Sequence, residues 1–277
     1  MTDWQPHCVH RYLDTVSSST NVAIVETDQG EAYLKALGNP EGPHALAADL
    51  VGTRLADAFG LPVLEMAVVE LDDLIDIPFA NGELAKDGPA LVTRAVKGEP
   101  WGGDGAQLKK LVNPEDITRL VLFDTWIRNR DRHGPREGEQ PRKNFDNVFL
   151  SEEVEDSGKL KLLAIDHTHC FAAGNEISPK ISAIGNVKDQ TVYGLFDEFR
   201  PFLDQGVAGT AVELLGTLEE QKVNEIVASI PKEWEVDKKS RDALLQLITQ
   251  RAKFVSQSIF AKLWPQTEFG FSDEAED

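Results

Sequence analysis

The chain has 277 residues, 47 acidic against 28 basic, for a net charge of −19. Such a surface repels phosphate backbones and anionic bilayers, which argues against nucleic acid or membrane as a partner. A composition of 41 % hydrophobic and 27 % charged residues is that of a globular protein, long enough for one large domain or two lobes around a cleft. Cys8 and Cys170 are the only cysteines, too few for a disulfide framework. The first residues carry no signal-peptide pattern, and no apolar run approaches the roughly 20 residues of a membrane span. A cytoplasmic protein is expected.

In chain order, Ser17-Ser18-Ser19-Thr20 is a run of small hydroxyl residues. It precedes a predicted hairpin: one strand over Val22–Thr27, a turn at Asp28-Gln29-Gly30 and a second strand over Glu31–Leu37. Residues from about Ala45 to Phe59 place Leu46, Leu50, Val51 and Leu55 at helical spacing, with Gly60 as the residue past the end and Pro62 blocking continuation. Two further strands are predicted over Glu65–Leu71 and Ala90–Val96, separated by a loop marked by Asn81-Gly82 and Asp87-Gly88-Pro89. The glycine-rich stretch Lys97–Gly105 reads as a connection between lobes. Asn113-Pro114-Glu115-Asp116 then has the pattern of a helix start, with Asn113 as N-cap and Pro114 in the first turn. Near the end, Leu244, Ile248, Val255, Ile259 and Leu263 form an apolar stripe along a long helix. The residues after about 270 form an acidic tail. Strands and one helix first, then mostly helices, make an α+β chain of two unequal parts.

The informative polar residues lie between about 124 and 170. Val148–Leu150 and Leu160–Ile165 are short apolar runs separated by a charged loop, the pattern of an antiparallel hairpin. Asn147 just before one strand and Asp166 just after the other then sit at the same open end, with strands about 5 Å apart. An amide oxygen beside a carboxylate is a hard donor pair suited to Mg²⁺. Asp131, beyond the end of the preceding helix, can reach the same place, where a carboxylate can orient a hydroxyl and accept its proton. Lys35 alternates with Tyr33 and Leu37 on one strand face; a solvated edge lysine is the plain alternative. Asp166, His167, His169 and Cys170, with His133, offer a second possibility, a zinc site of a metallohydrolase, although no familiar ligand-pair motif accompanies them.

Asn129-Arg-Asp131-Arg-His133, then Asn147-Val-Phe-Leu, then Ala164-Ile-Asp166-His resembles the HipA-like kinases, atypical serine/threonine kinases of the phosphoinositide-kinase superfamily. The resemblance implies a bilobal kinase fold: a small antiparallel β N-lobe over residues 1–98 and a larger helical C-lobe over 99–277, with ATP between them. It implies Asp131 as catalytic base, Asn147 and Asp166 as Mg²⁺ ligands and His133 as a structural member of the catalytic loop. By the same resemblance Ser17, Ser18, Ser19 and Thr20 form the phosphate loop, Lys35 holds the α- and β-phosphates, and Asp49 orients Lys35. Backbone around Ala95, Val96 and Lys97 reads the adenine. The implied acceptor is a serine or threonine of a protein substrate, including the Ser17–Ser19 loop in cis, and a cognate regulatory protein is a further implied partner.

Three departures from the family pattern stand out. Gly134–Lys143 is inserted between Asp131 and Asn147; being polar and rich in Gly and Pro it is expected to loop out, and it leaves Asn144 as a rival ligand. Asp49 is one methylene shorter than the usual glutamate, which predicts a weak or water-mediated pair with Lys35. The phosphate loop lacks glycine. These departures keep open a nucleotide-binding pseudokinase acting as a regulatory or toxin–antitoxin module.

Overall fold

The structure, a computed structural model, describes residues 4–16, 22–72, 75–136, 139–171 and 176–265, and of residues 135, 136 and 139–142 only the backbone. The expected acidic tail lies outside the described residues.

Strands β1 (Val9–Val16), β2 (Val22–Thr27) and β3 (Gly30–Leu37) run antiparallel, and helix α1 (Pro43–Ala58) follows them. Strands β4 (Met66–Leu71) and β5 (Lys86–Arg94) complete a five-stranded antiparallel sheet in the order β1-β2-β3-β5-β4. The period-2 alternation decides its two faces. Ala23, Val25, Ala32, Leu34 and Ala36 are buried on one face against Trp4, Val69, Ile77 and Phe79. Tyr33 and Lys35 alternate with them and lie on the opposite face. Helix α1 is buried along most of its length and joins the large core of the rest of the chain.

The predicted hairpin over 22–37 and the helix over 45–59 are both present. Strand β1 is an addition to the predicted elements. Asn113 departs from its expected role as N-cap. Its side chain instead donates to the Asp116 carboxylate at 2.7 Å and to the Leu162 carbonyl at 3.1 Å, while its own oxygen accepts from the Leu162 N–H. It ties the helix start to a strand, because the buried backbone groups of that strand need partners.

The stretch after β5 is more than a connection. It forms β6 (Gly98–Pro100), the edge of a three-stranded sheet, and the short helix α2 (Gly105–Leu108) capped by Asp104. Between them Trp101 is fully buried, stacked on Phe199 at 5.1 Å and edge-on to Phe145 and Phe196. Gly98 is required where it stands: a Cβ there would strike the Leu150 carbonyl.

Helix α3 (Asp116–Ile127) leads to the polar region. The inserted segment does not form an irregular loop but a two-stranded hairpin, β7 (His133–Arg136) and β8 (Glu139–Lys143). His133 pairs with Lys143, so the insertion leaves and returns at one point, and the Asn144 N–H donates to the Arg132 carbonyl at 2.9 Å. Strands β9 (Val148–Ser151) and β10 (Lys161–Ala164) are antiparallel, with Val148 opposite Ala164. Helices α4 (Ile184–Val187), α5 (Gln205–Gly216), α6 (Glu220–Ala228) and the 26-residue α7 (Lys238–Leu263) complete the helical part. The apolar stripe of α7 is buried against it. No helix among the described residues is long and apolar enough to cross a membrane.

Candidate active site

A cavity of about 310 Å³ opens under the sheet. Val16, Val22, Tyr33, Leu64, Leu91 and Phe149 supply apolar walls, and Lys35, Asp49 and Asp166 lie on one side of it. An apolar slot with a few convergent charges is the usual form of a small-molecule site.

Lys35 is the centre of those charges. Its position on β3 aims it at α1, and its Nζ donates to Asp49 Oδ2 at 2.7 Å, Asp166 Oδ1 at 3.2 Å and Thr168 Oγ1 at 3.1 Å. The pair with Asp49 is therefore direct, not weak or water-mediated. The short side chain suffices because α1 runs close to β3, a tertiary distance that spacing along the chain does not reveal. Burial works against the Lys35 ammonium, but Asp166 and Asp49 outweigh it and hold its pKa above the ordinary lysine value. Burial likewise works against ionised Asp166, yet Lys35 and the Thr168 hydroxyl keep its carboxyl well below the usual range. The second oxygen of Asp49 accepts the His167 backbone N–H at 2.9 Å.

At the end of the β9–β10 hairpin that precedes Asp166, Asn147 Nδ2 donates to Asp131 Oδ2 at 3.1 Å. The loop that carries Asp131 is built from α3. Arg128 ends the helix in the left-handed region (φ 56°), and its guanidinium reaches Asp189 at 3.1 Å. Asp124, one turn earlier and fully buried, accepts from Asn129 Nδ2 at 3.0 Å and Arg132 Nε at 2.7 Å. Burial pushes the Asp124 carboxyl up to about 6, against the pull of Arg132 and Asn129. Arg132 also donates through Nη2 to the Ile165 carbonyl at 3.1 Å, fastening this loop to the chain just before Asp166.

Of the expected residues, then, Lys35 meets both Asp49 and Asp166, and Asp131 meets Asn147. Val148 and Ala164 face each other across the hairpin, so Asn147 and Asp166 lie at its same open end. His133 packs its ring on Phe196 at 5.3 Å, and its carbonyl accepts from the Gly194 N–H. Burial lowers its pKa. At β6 the cavity wall is made by Gly98 and Pro100. Ala95 donates its N–H to Glu31, Lys97 donates its N–H to Glu153, and Val96 packs against Leu64 and Phe149. Ser17, Ser18, Ser19 and Thr20 lie outside the described residues.

The histidines are not gathered. His167 is fully buried, bonded through Nδ1 to Thr53 Oγ1 at 3.0 Å, and burial draws its pKa down to about 3. Burial pushes the Cys170 thiol well up. Among the described residues no group of three or more His, Cys, Asp or Glu is placed to hold a metal.

Four polar residues of the site, Thr53, Asp124, Arg132 and Thr168, have roles that sequence reading missed. The signal available for Asp124 was a polar residue inside an apolar helical run, which must find a partner when buried.

A strand-rich part with one helix, a helical part and a charged cleft between them is the fold of protein kinase-like phosphotransferases. The chain aligns with the Helicobacter pylori proinflammatory kinase CtkA at a TM-score of 0.57 and 11 % identity, covering 91 % of this chain and 94 % of that one. The Golgi casein kinase aligns at 0.49 and 8 % identity, covering 94 % and 76 %. HipA of Shewanella oneidensis, solved with HipB and operator DNA, aligns at 0.36 and 11 % identity, covering 90 % and 63 %. Among curated proteins none matches. The family model described as HipA-like kinase matches residues 14–264, and the chain belongs to that family.

Proposed function

We propose that the chain is an ATP- and Mg²⁺-dependent protein kinase acting on serine or threonine, with its two lobes dividing near residue 98. The observation that carries the reading is the buried Lys35–Asp49–Asp166 group at the side of an apolar cavity, with Asp131 and Asn147 in contact nearby.

The donor set fits a hard divalent cation. Asp166 is held ionised, and Asn147 donates through its nitrogen to Asp131, which leaves the amide oxygen as its ligating atom. Asp166 and Asn147 would hold Mg²⁺, which when bound offsets charge on the phosphate oxygens. Lys35 would grip the α- and β-phosphates and Asp49 would orient Lys35. Asp131, steadied by Asn147, would hold the acceptor hydroxyl in line and take its proton. Phosphoryl transfer asks the protein mainly for positioning and charge stabilisation, which these side chains offer.

The test is transfer of labelled phosphate from ATP to the chain itself and to a basic carrier protein, with phosphoserine and phosphothreonine identified by mass spectrometry. Asp131→Asn is expected to lower the rate by about 10²–10⁴-fold while nucleotide affinity persists. Equal rates in the two proteins would refute the role of Asp131. The glycine-free Ser17–Thr20 run favours a second reading, a nucleotide-binding pseudokinase in a regulatory or toxin–antitoxin module with a cognate regulatory protein. Nucleotide binding with no transfer by the wild type would select it.

A further inference from the structure

Asp166 stands in the left-handed region, at φ 56°. For a residue with a Cβ that conformation is disfavoured and persists where its surroundings over-determine it. Three ties surround it. Arg132 holds the carbonyl of Ile165 before it, Asp49 holds the N–H of His167 after it, and Lys35 bonds both Asp166 and Thr168.

Helix α1 supplies more than Asp49. Residues 49, 52 and 53 are spaced i, i+3, i+4 and lie on one helix face. All three meet His167. Asp49 takes its N–H, Thr53 bonds its ring, and Gly52 gives it room, since a Cβ at Gly52 would collide with the His167 Cβ. The ring is packed edge-on against Phe123 at 5.5 Å. Its other nitrogen, Nε2, is buried with no hydrogen-bond partner. Among the described residues the Thr53 hydroxyl is therefore the ring's hydrogen-bond partner, with Asp49 Oδ1 farther from Nδ1, at 4.0 Å. Thr53 and Asp49 also border the cavity beside Lys35.

We infer that the Thr53–His167 hydrogen bond is a latch that fixes α1 to the Asp166 turn, making both residues positioning residues for Lys35 and Asp166. The inference rests on the proposed kinase site. With the latch closed, α1 cannot move without carrying the His167 backbone, and Asp166 stays turned toward Lys35. With it open, the chain at 166–168 relaxes toward ordinary dihedrals and the carboxylate leaves its place.

The test uses Thr53→Val, which keeps the shape and removes the hydroxyl, with Thr53→Ser as the variant that restores it. Hydrogen exchange of the amides at 166–168 is measured on the protein alone, and the half-saturating Mg²⁺ concentration is measured in the phosphate-transfer assay. Thr53→Val is expected to speed that exchange and raise that concentration about tenfold, or ~1.4 kcal/mol. Thr53→Ser should return both to within about twofold. His167→Phe, which keeps an aromatic ring but removes the nitrogen that bonds Thr53, should match Thr53→Val, and the double variant should be no worse than either, as for two groups acting through one contact.

Exchange unchanged in Thr53→Val and His167→Phe would overturn the latch, as would equal loss in the serine and valine variants, which would assign the effect to methyl packing. Because exchange needs no activity, an inactive wild type whose exchange still responds to Thr53→Val would sink the kinase reading and leave the latch standing.

Discussion

Replacing Lys35 by methionine removes the cation from between two carboxylates without opening much space. Lys35 and Asp49 side chains are 13 % and 8 % exposed, Asp166 30 %. Removing one partner of a buried ion pair costs about 3–5 kcal/mol, because the other charge is left uncompensated. Asp166 can partly rehydrate, so the lower end, about 3 kcal/mol, is expected at about pH 7. The pH dependence gives the sharper check. In the wild type Lys35 depresses the Asp166 pKa below its unfolded value, so the group contributes stability above about pH 4 that is lost as pH falls through its folded pKa. In Lys35→Met the pull of the ammonium is gone, only the Thr168 bonds still oppose burial, and that contribution shrinks. The gap between the two proteins should be wide at about pH 7 and narrow as pH falls below about 4. Urea denaturation of both proteins across that range measures it. A gap under about 1 kcal/mol at neutral pH, or one that does not change with pH, would refute the buried-triad reasoning.

Asp49→Glu, although glutamate is the usual residue of the family pattern, should destabilise by about 1–3 kcal/mol and lower phosphate transfer. Both carboxylate oxygens are already in contact, with Lys35 at 2.7 Å and the His167 N–H at 2.9 Å, and an extra methylene must displace one of them. Equal or higher melting temperature for the glutamate variant would count against this. His167, drawn by burial to about 3 from an ordinary value near 6.5, binds its proton in the unfolded chain first. Its contribution to stability is thus whole above about pH 6.5 and is lost as pH falls toward 3. Asp124, raised to about 6, acts oppositely: its contribution is present below about pH 4 and lost as pH rises through 6. The difference between wild type and His167→Phe isolates the histidine and should grow with pH at up to about 1.4 kcal/mol per pH unit over that window; a flat difference would contradict a neutral buried ring.

The elements with strong local signals were legible in the sequence. Alternation and a glycine turn mark β2 and β3, a dense apolar run marks α1, and two short apolar runs around a charged loop mark β9 and β10. The last of these places Asn147 and Asp166 at one end of a hairpin by strand geometry alone. Strand β1 was hidden because its pairing with β2 shifts register twice and only Val9 is buried along it, so no period-2 pattern survives. The insertion is polar and carries Gly and Pro, the composition of a loop, yet its ends pair as strands. Thr53 and Thr168 were illegible for a different reason. Their partners, His167 and Lys35, lie 114 and 133 residues away, and nothing near a threonine in the sequence announces such a contact.

Charge explains why a divalent cation belongs in the proposed function. Among the described residues the charged side chains bordering the cavity are Lys35, Asp49 and Asp166, a net of −1 in a chain of −19. Lys35 is already matched by two carboxylates, so its attraction for a phosphate is largely spent within the protein. A triphosphate carrying about four negative charges would enter against that field and compete with Asp166 for the same ammonium. Asp166, if paired with a divalent cation, would no longer hold the ammonium so tightly, and Lys35 would be left to face the phosphates. An amide at Asn147, where a second carboxylate would also ligate, keeps a further negative charge away from Asp131, 3.1 Å distant.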